Sequence, residues 1–376
     1  MSMLKTAFWG SAGLLIYTQA GYAAVLSGLT AVTRRRQRPA SWEGDPPSVS
    51  VIVAAYAEED VIAARVANLQ ALDYPADKLE VIVACDGSPD RTAARAREAG
   101  ANVVLELPRT GKIPAQDAAV ARAGGQLLAF TDANSAWRPD ALTRLVAAFG
   151  DPRVGYVCGD VRFESDGGDN QEGLYWRYEM LLRRLESGLR SVTSGNGAIY
   201  ATRPESYMTV RPMMGHDISF PFKMVKGGWR AVYEADARAS EKMAPSIQGE
   251  WARKRRMASR TWPTVVLGGM LSPRGYDPLY ALMIFSHRVL RYLSPFLHVV
   301  ALGTSIALVG HGWVYLVAAG AQLLVLGGAA LAPVVPLTPL LVARYYVVTT
   351  ASLAVGLWDW LTGAQVAAWE PVEGTR

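Results

Sequence analysis

"VIVACDGSPDRT", residues 81 to 92, is the stretch on which the fold turns. An apolar run ends on Cys85, Asp86 and Gly87, and a polar segment comes next with a second carboxylate at Asp90. Asp-Gly between apolar runs is a hairpin signal, and Asp is a frequent turn residue with no chemical duty. The segment after Gly87 is not a second strand, however. "SPDRTAARAREAG" offers Ser88 as an N-cap, Pro89 at the first helical position and helix formers as far as Gly100. The stretch therefore reads as strand, tight turn, helix. In open α/β sheets that junction faces the ligand crevice, because ligands gather outside the carboxyl ends of parallel strands.

The same alternation runs through the middle of the chain. Strand-like runs fall at 48–55, 79–85, 102–107, 126–132 and 154–163, separated by helical stretches near 59–72, 89–99, 112–123 and 138–149. Buried-type strands alternating with helices predict an α/β fold with a mostly parallel sheet, covered on both faces and joined by right-handed crossovers. No Gly-x-Gly-x-x-Gly turn succeeds the first strand, which removes a dinucleotide site. "RTGKI" (109–113) lacks the first Gly and the Ser/Thr of a P-loop. The strands end on carboxylates instead, in "AAYAEED" (54–60), "CDGSPD" (85–90) and "TDANS" (131–135).

Both ends of the 376-residue chain are strongly apolar. From Ala7 to Thr33 there is no charged residue, longer than the roughly 20 needed to cross a bilayer. Arg34, Arg35 and Arg36 come directly after and, by the positive-inside bias, mark a cytoplasmic end. A cleaved signal peptide with "QAGYAA" as its cleavage site competes, but its apolar stretch would be too long and its charges on the wrong side. Tyr292 to Ala343 carries no Asp, Glu, Lys or Arg, enough for two crossings, and a further span runs from about Leu340 to Leu361. Counting crossings from an outside N-terminus places the middle of the chain in the cytoplasm and the C-terminus outside, although "AAWEPVEGTR" could equally return. The expected division is a transmembrane helix at 1–33, an α/β domain at 34–245, interfacial amphipathic helices at 246–291, transmembrane helices at 292–363 and a tail at 364–376. That makes a multi-pass protein of the inner (plasma) membrane with about four spans and a cytoplasmic α/β domain.

The net charge of +5 is modest and partly local, in "RRRQR" and in "RKRRMASR" (253–260). A basic face on lipid headgroups or phosphate accounts for it better than nucleic acid, for which there is no fold signature. Cys85 and Cys158 sit in strand-like runs and read as buried free thiols.

Five segments carry a resemblance: "VSVIVAAYAEED", "CDGSPDRT", "GKIPAQDAAVARAGGQLLAFTDAN", "SGNGAIYATR" and "GHDISFPFKMVKGGWRAVYEADARASE". In that order and spacing the chain resembles an inverting family 2 glycosyltransferase of the GT-A fold. The membrane-bound branch, which includes cellulose, chitin and hyaluronan synthases, is the nearer likeness, over roughly residues 48–262. The resemblance implies transfer of a hexosyl or N-acetylhexosaminyl group from a nucleotide-diphosphate sugar, UDP by family habit, to a saccharide or lipid-linked acceptor, with Mg2+ or Mn2+ as cofactor. It implies that Asp86 holds the nucleotide, that Ala55, Tyr56 and Glu58 line base and ribose, that Lys112 faces the phosphates, and that Asp132 is the metal carboxylate. If Asp86 and Asp132 face each other at about 5 Å, their repulsion is about 3 kcal/mol at an effective dielectric of 20, which a bridging divalent cation relieves. Asn134 stands where the metal motif has a second Asp, and an amide ligates without charge.

Asp217 in "GHDISF" matches the general base, with His216 in place of an acidic neighbour; a neutral His should leave the Asp217 pKa less raised than an acidic pair would. Asp217 could equally be an N-cap. Gly195, Asn196 and Gly197 offer small residues where an acceptor approaches the backbone. In "QGEWARKRRMASRTW" (248–262) the processive motif QxxRW is altered: Arg253 stands for Gln, Arg256 for Arg and Met257 for Trp. Arg256 can still neutralise the leaving diphosphate, and Trp262 is the substitute stacking platform. Residues 247–262 and 279–295 read as interfacial helices, the second leading into the membrane. Two alternatives stay open: a polyprenyl-phosphate monosaccharide transferase, and a non-catalytic nucleotide-sugar-binding subunit of an assembly complex. A homo-oligomer or an assembly partner is compatible with either.

Overall fold

The computed structural model describes residues 1–33, 41–164, 171–242 and 247–363. Helices α1 (Ser2–Ile16) and α2 (Tyr22–Thr33), joined by a π turn, form one continuous rod. Then come β1 (Val49–Ala55), α3 (Ile62–Gln70), β2 (Leu79–Asp86), α4 (Thr92–Glu98), β3 (Val103–Leu107), α5 (Lys112–Val120), β4 (Leu127–Asp132), β5 (Ser135–Trp137), α6 (Ala141–Ala148) and β6 (Val154–Glu164). The chain continues through α7 (Gln171–Leu189), β7 (Tyr200–Thr202), α8 (His216–Lys226), β8 (Arg230–Lys242) and α9 (Ile247–Val266). It ends in α10 (Pro278–Met283), α11 (Leu290–Ala307), α12 (Trp313–Leu331) and α13 (Thr338–Leu361).

The eight strands form one sheet in the order β3-β2-β1-β4-β7-β6-β8-β5. β1 pairs in parallel with β2 and β4, so all seven of its residues are buried and both faces must be apolar. Successive side chains alternate between faces, so Val51 and Val53 join one core with α3 and α6, while Ile52 joins another with α5 and α8. The expected mostly parallel α/β sheet is present. Beyond β4 it turns mixed, because β7 is antiparallel to both β4 and β6, and β5 is antiparallel to β8. β5 and β7 span three residues each and carry no readable period.

The β2–α4 junction differs from the sequence expectation. Helix α4 begins at Thr92, not at Pro89. Ser88 does not cap it: Ser88 Oγ accepts the Ala57 N–H (3.2 Å). Asp90 takes the Thr92 N–H (3.1 Å) and the Glu59 N–H (3.2 Å), tying the β1 and β2 turns together.

Four helical segments are long and apolar enough to cross a membrane: Ser2–Thr33, Pro278–Ala307, Trp313–Leu331 and Thr338–Leu361. Residues 279–295, expected as an interfacial helix leading into the membrane, run unbroken into the second of these, and their polar side chains turn inward onto α7. Asp359, near the end of α13, accepts two hydrogen bonds from Arg255 of α9, from Nε (2.6 Å) and Nη2 (2.7 Å). That pairing ties the C-terminal end of α13 to α9. "RRRQR" and the tail lie outside the described residues.

Candidate active site

The end of β2 is built around Asp86, whose side chain is fully buried. Its Oδ1 accepts the N–H of Thr110 (2.7 Å), both oxygens lie 2.9 Å from the Gly111 nitrogen, and Oδ2 accepts Arg109 Nη1 (2.7 Å). Asp86 thus fastens the loop that leads into α5. Gly87 is required twice over. Its φ is +66, and a Cβ there would lie 2.8 Å from the Arg109 nitrogen. The Arg109 guanidinium lies over the Tyr56 ring, 3.2 Å from the centroid. Tyr56 is half-buried, Ala55 is buried, and buried Glu58 donates its N–H to Thr92 Oγ1 (2.8 Å). Arg109 did not stand out in the sequence; its signal was a cation in the loop facing a strand that ends on a carboxylate.

A second group lies at the ends of β4, α5 and α8. Lys112, in the first turn of α5, pairs with Asp132 at the end of β4. Gly197 closes this pair, since a Cβ there would lie 3.3 Å from Lys112 Nζ and 3.4 Å from Asp132 Oδ2. Burial pushes the Lys112 amine down, but Asp132, Asp217 and Glu241 together hold it above its ordinary value. Glu241 on β8 accepts from Ser135 Oγ (2.6 Å) and is a further carboxylate that sequence alone did not place near this group.

Asp217 lies in the first turn of α8, half-buried. Its backbone carbonyl accepts the Gly195 N–H (2.6 Å). Burial raises the Asp217 carboxyl above the ordinary Asp value, Asp132 adds to the rise, and Lys112, the Ile218 N–H and Arg183 oppose it. His216 is buried, with Nδ1 2.7 Å from the Tyr200 hydroxyl and its ring stacked on Phe220 at 3.9 Å. Burial, then Lys112, push its pKa down to about 3, so the imidazole is neutral. The like charge on Asp217 comes from Asp132 across the fold instead of from the sequence neighbour.

Arg256 lies half-buried on α9, one turn before Arg260. Burial and then Arg256 push Arg260 down while Asp217 pushes it up, which puts the two arginines and Asp217 in one electrostatic neighbourhood. The side chain of Arg253 lies outside the described residues.

Several expected roles do not fit these positions. Trp262 is 7% exposed and donates Nε1–H to the Leu353 carbonyl (2.8 Å), so it packs α9 onto α13 and offers no stacking face to an acceptor. Asn196 is buried and spends its amide on the Gly159 carbonyl (2.7 Å) and the Ile199 N–H (2.9 Å). Gly195 is packed against the Tyr156 hydroxyl, where no Cβ fits. Of the three, Gly197 alone faces Lys112 and Asp132. β1 lies between the strands that carry Asp86 and Asp132, so the two backbones are about 10 Å apart across the sheet. Cys85 and Cys158 are buried free thiols as expected, both pushed up to about 11 chiefly by burial.

Among the described residues no three His, Cys, Asp or Glu side chains cluster as a metal cage. The donor set at β4 is one carboxylate, Asp132, with Asn134 two residues on. That suits a hard cation that takes one or two protein oxygens and completes its shell with phosphate and water.

Comparison with known proteins agrees with this layout. Residues 50–205 match the model of "Glycosyl transferase family 2". An N-acetylglucosaminyltransferase of Rhizobium leguminosarum bv. trifolii is 34% identical over 128 residues, covering 32% of this chain and 69% of that protein. Another, from Rhizobium meliloti (strain 1021), is 28% identical over 258 residues, 62% of this chain and 60% of that one. The chain thus spans less than two thirds of the length of that relative. Among solved structures, mannosyltransferase PcManGT from Pyrobaculum calidifontis, in complex with GDP-Man and Mn2+, superposes with a TM-score of 0.71 at 24% identity, over 96% of this chain and 98% of that one. At that identity the likeness speaks to the fold. The sheet, with its crevice at the strand ends, is of GT-A type. The chain belongs to glycosyl transferase family 2.

Proposed function

We propose that this protein is a membrane-embedded inverting glycosyltransferase that moves an N-acetylhexosaminyl or hexosyl group from a UDP-sugar to a saccharide or lipid-linked saccharide acceptor. The observation that carries the proposal is the pairing of Lys112 with Asp132 beside the bare backbone of Gly197, with Asp217, from a third element, in the same electrostatic neighbourhood. The N-acetylglucosaminyltransferase relatives favour the amino sugar.

In this reading the nucleobase and ribose lie against Tyr56, Arg109 and Asp86, with Ala55 and Glu58 shaping the turn. Asp217 takes the proton from an acceptor hydroxyl. That oxygen bonds to the anomeric carbon as the bond from that carbon to the diphosphate oxygen breaks on the opposite face, inverting the centre. The proton stays on Asp217 and the electron pair leaves on UDP. A raised Asp217 is a stronger base than a free Asp. Lys112 and Arg256 meet the charge that builds on the departing diphosphate. Asp132 and Asn134 would hold a Mg2+ or Mn2+, which supplies further neutralisation of the diphosphate. The catalytic domain faces the cytoplasm in this reading, since Arg34–Arg36 succeed the first span.

Purified full-length protein in detergent, given radiolabelled UDP-N-acetylglucosamine or UDP-glucose, membrane lipid and either metal, tests the proposal. Label is expected in carbohydrate or glycolipid. Nucleotide binding with neither transfer nor donor hydrolysis overturns it, and label confined to a lipid monophosphate sugar would move the acceptor to a polyprenyl phosphate.

A further inference from the structure

The helical segment Pro278–Ala307 is long and apolar enough for a membrane span, yet it carries charge into the protein interior. Arg288, only 6% exposed, donates Nε–H to Thr193 Oγ1 (2.9 Å) and Nη2–H to Ser194 Oγ. Next to it, His287 sets Nδ1 2.7 Å from Glu186 Oε1 and Nε2 3.5 Å from Glu179 Oε2. Glu186, fully buried on α7, also accepts the Tyr22 hydroxyl (2.7 Å) and the Thr193 N–H (3.0 Å). Burying several charges where two membrane helices meet the catalytic domain is costly unless they have work to do. Arg288, His287 and Glu186 all reach Thr193. Thr193 and Ser194 lead directly into Gly195, whose N–H holds the Asp217 carbonyl, and into Gly197, which backs the Lys112–Asp132 pair.

We propose that Arg288 is a positioning residue for glycosyl transfer. From the membrane helix it fixes Thr193 and Ser194, and through them the Gly195–Gly197 backbone that seats Asp217 against the donor site. The inference rests on Asp217 acting as the base. None of the Arg288 atoms needs to touch substrate: the guanidinium offers two donors in a rigid fork, which sets a loop more firmly than an ammonium could. Catalytic geometry then depends on the placement of a membrane helix relative to the sheet.

Full-length wild-type, Arg288→Met, Arg288→Lys, Ser194→Ala and Asp217→Asn proteins in detergent decide this. UDP titration counts binding sites, and transfer of radiolabelled sugar gives turnover per UDP-binding site. A residue that only supports folding lowers the number of sites and leaves turnover per site alone. The expected result is UDP affinity within two-fold of wild type throughout, with turnover per site down at least ten-fold in Arg288→Met, about three-fold in Ser194→Ala and intermediate in Arg288→Lys. Unchanged turnover per site in Arg288→Met and Ser194→Ala overturns the proposal. If Arg288→Met fails to fold because it strands Glu186, Ser194→Ala decides alone, since it leaves every carboxylate paired. Normal turnover in Asp217→Asn sinks the base assignment and this inference with it; an inactive Asp217→Asn beside normal Arg288 and Ser194 variants sinks this inference only.

Discussion

Replacing Asp217 by Asn removes one proton-accepting oxygen and little else. The backbone carbonyl that receives the Gly195 N–H stays in place, as does the helix turn that carries it. Positioned general bases contribute roughly 10²- to 10⁴-fold, or about 3–5 kcal/mol of barrier. Turnover should drop by that factor while UDP-sugar affinity holds within about two-fold. The pH profile supplies an independent check. Because burial and Asp132 raise the Asp217 carboxyl, wild-type turnover should fall on the acid side at a higher pH than an ordinary Asp would give. Lys112 is the largest influence pulling the other way. Lys112→Met should therefore move the acid limb upward. Initial rates of transfer across pH 4–8, on variants whose donor binding has been titrated, measure both effects. An Asp217→Asn enzyme with more than a tenth of wild-type turnover, or an acid limb that moves down in Lys112→Met, would contradict the assignment of Asp217 as base.

Other variants probe the frame around the site. Gly87→Ala forces a β-carbon into left-handed backbone and against Arg109; strain and overpacking together should cost about 2–4 kcal/mol, seen as a lower Tm and weaker UDP binding. Gly356→Val on α13 should drive that helix off α9, because even a Cβ there would lie 2.6 Å from the Ala258 Cβ; a lower Tm and a shifted tryptophan emission, reporting Trp262, would register it. Asp151 is held down to about 2, first by the Arg153 side chain and also by Arg230. A depressed carboxylate contributes stability above its unfolded pKa and loses it as pH falls through the folded value. Asp151→Asn should therefore cost about 1 kcal/mol at pH 7, after discounting for solvent exposure, and nothing near pH 2, by denaturant titration at both pH values.

Much of the fold was legible because it is written in local chemistry. Strands β1 to β4 and β6 were found to within a residue or so, since apolar runs that end on Asp or before Gly leave few other readings. The spans at both ends were equally plain, because a bilayer imposes length and charge rules on contiguous residues. Short strands β5 and β7 were not, as three residues carry neither period nor composition. Site residues divided in the same way. Asp86, Asp132 and Asp217 announced themselves at strand and helix ends, whereas Arg109, Glu241 and Arg288 lie far in sequence from the groups they serve. Trp262 and Asn196 misled for the opposite reason: their residue types suit a sugar site, but their neighbours from other elements consumed them.

The parallel strands, the carboxylates at their ends and the apolar helices at both termini were settled by the order of residues alone, because each depends on neighbours along the chain. Which charge faces which waited on the folded arrangement: β1 separates the strands of Asp86 and Asp132, Lys112 pairs with Asp132 in the field of Asp217, and Arg288 bonds Thr193 and Ser194 just before Gly195. A charge acts through space and the surrounding dielectric, and neither can be read until strand order and burial have brought distant residues together.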